Sequence, residues 1–203
     1  EVMLYSDVAV AHAELYTGLV EVGVGILPAG GGTTEMLIRC MDGLPTGADP
    51  FPAVQAAFEL IAMGKVSTSA YDAQNLKLLR DTDKIVMNAD RLLSEAKQIV
   101  IGLADGYVPP SPRQVQVLGE AALANLLTGA YGMSQSGFIT PYELHLAETI
   151  ARVLSGGEMN RADVVDESVL LELEEEAFLQ LSGQEKTQER LAHTLKTGKT
   201  LRN

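Results

Sequence analysis

The sequence predicts an α/β protein whose first part mixes strands with helices and whose remainder is almost all helix. Three observations carry this. Short β-prone runs, rich in Val, Ile and Leu, cluster early, at residues 7–11, 15–19 and 20–28, with one more at 83–87. Beyond residue 89 the apolar residues instead recur at helical spacing over long windows. Hydrophobic residues make up 46% of the 203, enough to bury a core.

Taken in order, the first helix follows Gly30-Gly31-Gly32 and covers residues 33–41, with a threonine as N-cap. Residues 42–52 hold three prolines, two glycines and two aspartates among eleven residues, a loop composition. Residues 53–63 form a helix stopped by Gly64, and 69–76 a short helix capped by Ser69. From 89 to 104, Leu92, Leu93, Ala96, Ile99, Val100 and Leu103 outline an amphipathic helix. The proline-rich stretch 107–112 then breaks the chain and is its sharpest internal boundary. Three helices follow at 119–133, 140–154, where Thr140 and Pro141 are N-cap and N1, and 166–181. The glutamate run 172–176 reads as a solvated helix face.

Charge and composition exclude several function classes. Lys and Arg number 15 against 27 Asp and Glu, a net charge of −12, which disfavours binding to a phosphate backbone. No apolar run approaches the ~20 residues of a membrane-spanning helix. With the single cysteine, Cys40, placed on the apolar side of its helix as a small core residue, no internal disulfide is possible, which fits a reducing compartment such as the cytoplasm. The start, Glu1-Val2-Met3, has neither initiator Met nor basic leader and reads as cut from something longer. Gly23-Val24-Gly25-Ile26-Leu27-Pro28 opens like a dinucleotide fingerprint but has Pro where the third glycine belongs, and Gly30 to Thr34 lacks the lysine of a phosphate-binding loop. His12, His145 and His193 are far apart in sequence, with no partner at ligand spacing, so no metal site is expected.

Two acids stand out. Glu21 lies among Val, Gly and Ile just before a helix N-terminus, where a desolvated carboxylate suits acid/base chemistry; the other reading is a cap or ion pair at an edge. Glu59 is a lone acid on an apolar helix, and such a residue is either paired or functional.

The segment from Tyr16 to Thr33 resembles the active-site segment of the crotonase, or enoyl-CoA hydratase/isomerase, superfamily, in which a glycine and a glutamate precede a Pro-Gly-rich turn and a helix. Glu59, five residues before Gly64 and followed by the 69–73 helix, resembles the family's second catalytic glutamate. The loop 42–52, the helices from 119 to 154 and the basic ending from Thr187 to Asn203 resemble the C-terminal part of bacterial 3-hydroxyacyl-CoA dehydrogenases with a fused hydratase module, which act in fatty-acid β-oxidation.

By that resemblance the fold is a partial crotonase-like spiral core over 1–87, holding both glutamates, followed by an all-α C-terminal region over 88–203. Glu21 and Glu59 would hold a water against an enoyl-CoA, one taking its proton and the other delivering a proton to the α-carbon, with the Gly18 N–H as one oxyanion donor. Lys196, Lys199 and Arg202 would meet the CoA phosphates; the alternative is a solvated basic tail. NAD is expected only in a dehydrogenase domain outside this chain, and homo-oligomers are common in the family. Val20 stands where many hydratases have Pro, and the loop giving the other oxyanion donor would precede Glu1. A non-catalytic CoA-binding or assembly module and an isomerase are the alternative functions.

Overall fold

A computed structural model describes all 203 residues. In chain order the elements are β1 (Val10–His12), a 3₁₀ turn (Glu21–Val24), α1 (Gly32–Met41), α2 (Phe51–Ala62), α3 (Ala70–Asn75), β2 (Lys84–Val86), a second 3₁₀ turn (Ala89–Arg91), α4 (Leu92–Ala104), β3 (Gln114–Val117), α5 (Glu120–Gln135), α6 (Pro141–Leu154), β4 (Asp163–Asp166), α7 (Glu167–Ser182) and α8 (Glu185–Thr197). They divide into two compact units, Glu1–Gly18 with Val66–Pro112, and Leu19–Lys65 with Arg113–Asn203.

In the first unit β1 and β2 pair in parallel, with Val10, Ala11 and His12 opposite Lys84, Ile85 and Val86. The buried Asp83 carboxylate holds this pair in place by accepting the N–H groups of Ala9 at 2.8 Å and Arg80 at 2.7 Å. Arg80 in turn donates to the carbonyls of Ser6 and Leu4, tying down the start of the chain. Ser67, fully buried, accepts the Thr17 N–H at 3.0 Å and donates to Leu15 O at 3.0 Å, which fixes the backbone leading into Gly18. Ser69 caps α3 by accepting from the Asp72 N–H. The amphipathic spacing of α4 is present, yet none of its residues is buried and Leu93 is 82% exposed.

The second unit is a helical assembly around α6, which packs on α1, α2, α5 and α7. Leu146, Ile150 and Leu154 recur along its inner face and are buried with Leu37 of α1 and Val54 and Ile61 of α2. Burying each such side chain contributes about 1.5–3 kcal/mol. Thr140 and Glu143 form a reciprocal capping box at the start of α6, with Pro141 at N1.

Several expectations need correction. Residues 20–28 are β-prone by composition, but Gly23 and Gly25 admit a 3₁₀ turn that ends with Gly25 at φ 88°. Residues 15–19 form no strand beyond the single Gly18–Val66 bridge. The region expected to be all helix contains the antiparallel pair β3–β4, in register from Gln114 opposite Asp166 to Val117 opposite Asp163. Its two-residue alternation over Gln-Val-Gln-Val is too short to stand out from the helices around it. The basic ending contains α8, whose buried residues are the polar Thr187 and Arg190, so it lacks an apolar stripe. Helix α1 is capped at Gly31, not at a threonine, and Cys40 is only half-buried. Within the glutamate run, Glu174 is wholly buried, because it follows Leu170 and precedes Ala177 and Leu181 on the inner face of α7.

Candidate active-site cleft

The second unit holds a cleft of about 460 Å³, mostly apolar, formed by the turn around Val20 to Gly23, the end of α2, and residues of α5, α6, α8 and the final segment. Phe58, Met63, Ile139 and Leu146 line it, and its charged groups are Glu59, Glu143, Arg190 and Arg202. Such a cleft, apolar with a few placed polar groups, suits an organic ligand better than a solvated ion.

Glu59 reaches this wall because α2 places it one turn before Met63 and Gly64. Its side chain is 46% exposed, accepts from Gln55 Nε2 at 2.9 Å and faces Lys65 Nζ at 3.4 Å. The acid on the apolar helix is therefore paired, and it still faces open space. Glu21 sits on the 3₁₀ turn, half-buried; its neighbours Val20, Val22 and Gly23 line the cleft. Gly18 belongs to the first unit, where it bridges Val66.

Of the predicted cationic residues, Arg202 also lines the cleft, where its guanidinium donates to both Glu143 oxygens, at 2.8 and 2.6 Å, and to Phe138 O at 3.0 Å. Burial pushes the Glu143 carboxyl up, but the Arg202 hydrogen bonds and the Thr140 N–H outweigh it and hold the pKa below the usual glutamate value. Lys196 and Lys199 are exposed.

Sequence reasoning missed Arg190. It is 1% exposed, donates to Val22 O at 3.1 Å and Asn203 Oδ1 at 2.8 Å, and lies 5.1 Å from the Tyr142 ring centre. Burial lowers its pKa, with the Glu143 charge acting in the opposite sense. The only signal available was an arginine three residues after Thr187 on a helix face of mixed polarity. Outside the cleft lining, the buried Glu35 pairs with Arg39 and with Arg113, both at 2.7 Å, and Arg113 also pairs with Glu167 at 2.7 Å, linking α1 to the starts of β3 and α7.

Comparison with known proteins adds to this geometry. A probable 3-hydroxyacyl-CoA dehydrogenase of Bacillus subtilis is 46% identical over 194 residues, which is 95% of this chain and 24% of that protein. A putative fatty acid oxidation complex trifunctional enzyme of Rickettsia felis is 26% identical over 196 residues, 97% of this chain and 24% of that protein. A carnitinyl-CoA hydratase from Mycobacterium avium superposes with a TM-score of 0.51 at 18% identity, over 98% of this chain and 56% of that one. The chain shares the fold of that hydratase. It spans 24% of the length of the two relatives it matches in sequence, and no family model matches it. No helix is long and apolar enough to cross a membrane.

Proposed function

We propose that this chain is the enoyl-CoA hydratase module of a longer 3-hydroxyacyl-CoA dehydrogenase polypeptide of fatty-acid β-oxidation, of the crotonase type. The observation that supports it most is Glu59 on the wall of an apolar cleft that is also lined by Val20, Val22 and Gly23, the neighbours of Glu21. The similarity to dehydrogenase and fatty-acid oxidation proteins over nearly the whole chain supports the pathway, and the shared hydratase fold supports the reaction class.

In this reading water adds syn across the 2,3-double bond of the thioester. One of Glu21 and Glu59 takes a proton from the water as its oxygen bonds the β-carbon, and the other gives a proton to the α-carbon. Gly18 N–H, assigned from its position three residues before Glu21, lowers the cost of the enolate charge. The exposed Lys196 and Lys199 would contact the CoA phosphates; Arg202, held by Glu143, would border the cleft.

The test is the loss of enoyl-thioester absorbance on adding a short trans-2-enoyl-CoA to the full-length protein, with Glu21→Gln and Glu59→Gln alongside. Loss of hydration in both variants with the dehydrogenase activity intact supports the reading. Hydration that survives both substitutions, or is absent from the parent protein, sinks it in favour of a non-catalytic module. Loss of double-bond migration alone would assign the site to an isomerase.

A further inference from the structure

The turn carrying Glu21 is held from above by α8. Thr187, fully buried, donates its hydroxyl to Gly25 O at 2.5 Å, and its oxygen lies 2.6 Å from Tyr142 Oη. A hydroxyl has one proton, and the Thr187 proton is committed to a carbonyl that can only accept, so Tyr142 donates to Thr187. Tyr142, Thr187 and Gly25 thus form a directed chain that ends on the residue capping the turn. One helical turn further along, Arg190 Nη1 donates to Val22 O, the carbonyl that also accepts the Gly25 N–H at 3.1 Å. Two side chains of one helix therefore grip the turn at two carbonyls flanking its closure.

The fit leaves little slack. A Cβ on Gly25 would stand 2.7 Å from Thr187 Oγ1 and 3.0 Å from its Cα, and one on Gly23 would meet Thr200 Cγ2 at 3.1 Å. Arg190 is itself fixed by Asn203 and by the face of the Tyr142 ring. Burying a guanidinium disfavours its charged form, and an apolar side chain would fill the space at less cost. What an apolar side chain lacks is a directed donor aimed at one carbonyl.

We infer that Thr187 and Arg190 are positioning residues, which set the backbone of the 21–25 turn and through it the aim of the Glu21 carboxylate. The inference rests on the proposed catalytic role of Glu21, since a positioning residue acts only through the group it positions. It makes the buried face of α8 a determinant of turnover, apart from any contact Lys196 makes with CoA. A displacement of ~1 Å in a reacting group can cost about 100-fold in rate.

The experiment uses the full-length protein and compares Thr187→Val, which keeps the shape and removes the donor, with Thr187→Ser, which keeps the hydroxyl. Two readouts are taken: hydrogen–deuterium exchange of the peptide spanning residues 18–27, and kcat and KM for hydration of a short enoyl-CoA. The valine variant is expected to exchange the Gly25 and Ile26 amides about tenfold faster or more, and to lose about tenfold or more in kcat with KM within about twofold, while serine restores both. Unchanged exchange in the valine variant overturns the inference, as does faster exchange with unchanged kcat. If the parent protein does not hydrate at all, the proposed function falls, and the inference falls with it as a statement about catalysis; the exchange arm then reports separately whether α8 orders the turn. Should the valine variant fail to fold, Arg190→Lys reads the same turn through Val22 by the same two measurements.

Discussion

The backbone N–H of Thr34 donates to the carboxylate of Glu174, and the same carboxylate accepts the Gly31 N–H at 3.0 Å, so a glutamate of α7 caps the first turn of α1. The helix has no side-chain cap of its own, and its first N–H groups are buried. A carboxylate there satisfies two donors and meets the positive end of the helix dipole. Glu174→Ala takes the carboxylate away from both donors and is expected to destabilise by about 3 kcal/mol, with Glu174→Gln costing less because one oxygen remains. Urea unfolding at unchanged slope measures this, and a midpoint equal to the parent's would refute the capping role.

Two glycines at similar positive φ separate strain from space. Gly25 at φ +88° and Gly43 at φ +75° both occupy a conformation that side chains disfavour, but a Cβ on Gly43 meets nothing within 4 Å while one on Gly25 collides with Thr187. Gly43→Ala is expected to cost about 1 kcal/mol from backbone strain alone, and Gly25→Ala at least about 2 kcal/mol more from the added overlap. Equal losses in thermal unfolding of the two variants would show that the turn yields freely to α8.

Arg113 joins Glu35 and Glu167, with Glu35 nearly inaccessible to solvent. Burial acts against the Arg113 charge, and the hydrogen bonds to the two glutamates more than offset it, so its pKa is raised. Arg113→Met leaves Glu35 with Arg39 and is expected to destabilise by about 3 kcal/mol, the low end for breaking a buried ion pair because one partner stays. Glu35→Gln also strips the buried Arg39 of its partner, so the double variant is expected to be less stable than either single one, but by less than the sum, because both substitutions break the same Arg113–Glu35 pair; a strictly additive double-mutant cycle would argue against coupling.

The parts legible in the sequence are those set by short-range rules. Ser69, Thr140 and Pro141 sit where their caps and turns require them, and the apolar period of α6 gives its inner face directly. The sequence also singled out Glu59, and the structure places it on the cleft, because an acid on an apolar helix is conspicuous without any tertiary information. What escaped depends on partners far along the chain. Glu174 looks like one of four glutamates until α1 supplies the amides that need it. Val20, Val22 and Val24 favour a strand locally, and the two glycines with the α8 donors override them. Arg190 and Thr187 are ordinary polar residues whose burial is decided by Tyr142 and the turn.

The Glu143–Arg202 tie closes one side of the cleft and should report on pH. Burial raises the Glu143 pKa, but Arg202 and the Thr140 N–H lower it further, so the folded value lies below the ordinary 4.5. The Arg202 guanidinium keeps its charge throughout, its own pKa being raised by the Glu143 hydrogen bonds. A carboxyl with a depressed folded pKa binds its proton more readily when unfolded, so its stabilisation is fully present above 4.5 and is lost as pH falls through the lower folded value. Glu143→Gln can still accept the Thr140 N–H and complete the box, but it cannot keep the charge. At pH 7 the variant should melt about 2–4 °C lower, and the gap should close in acid as the parent's carboxyl takes up its proton. Melting curves of both proteins from neutral pH into that acid window decide the matter: a gap independent of pH would mean that the tie acts through shape alone.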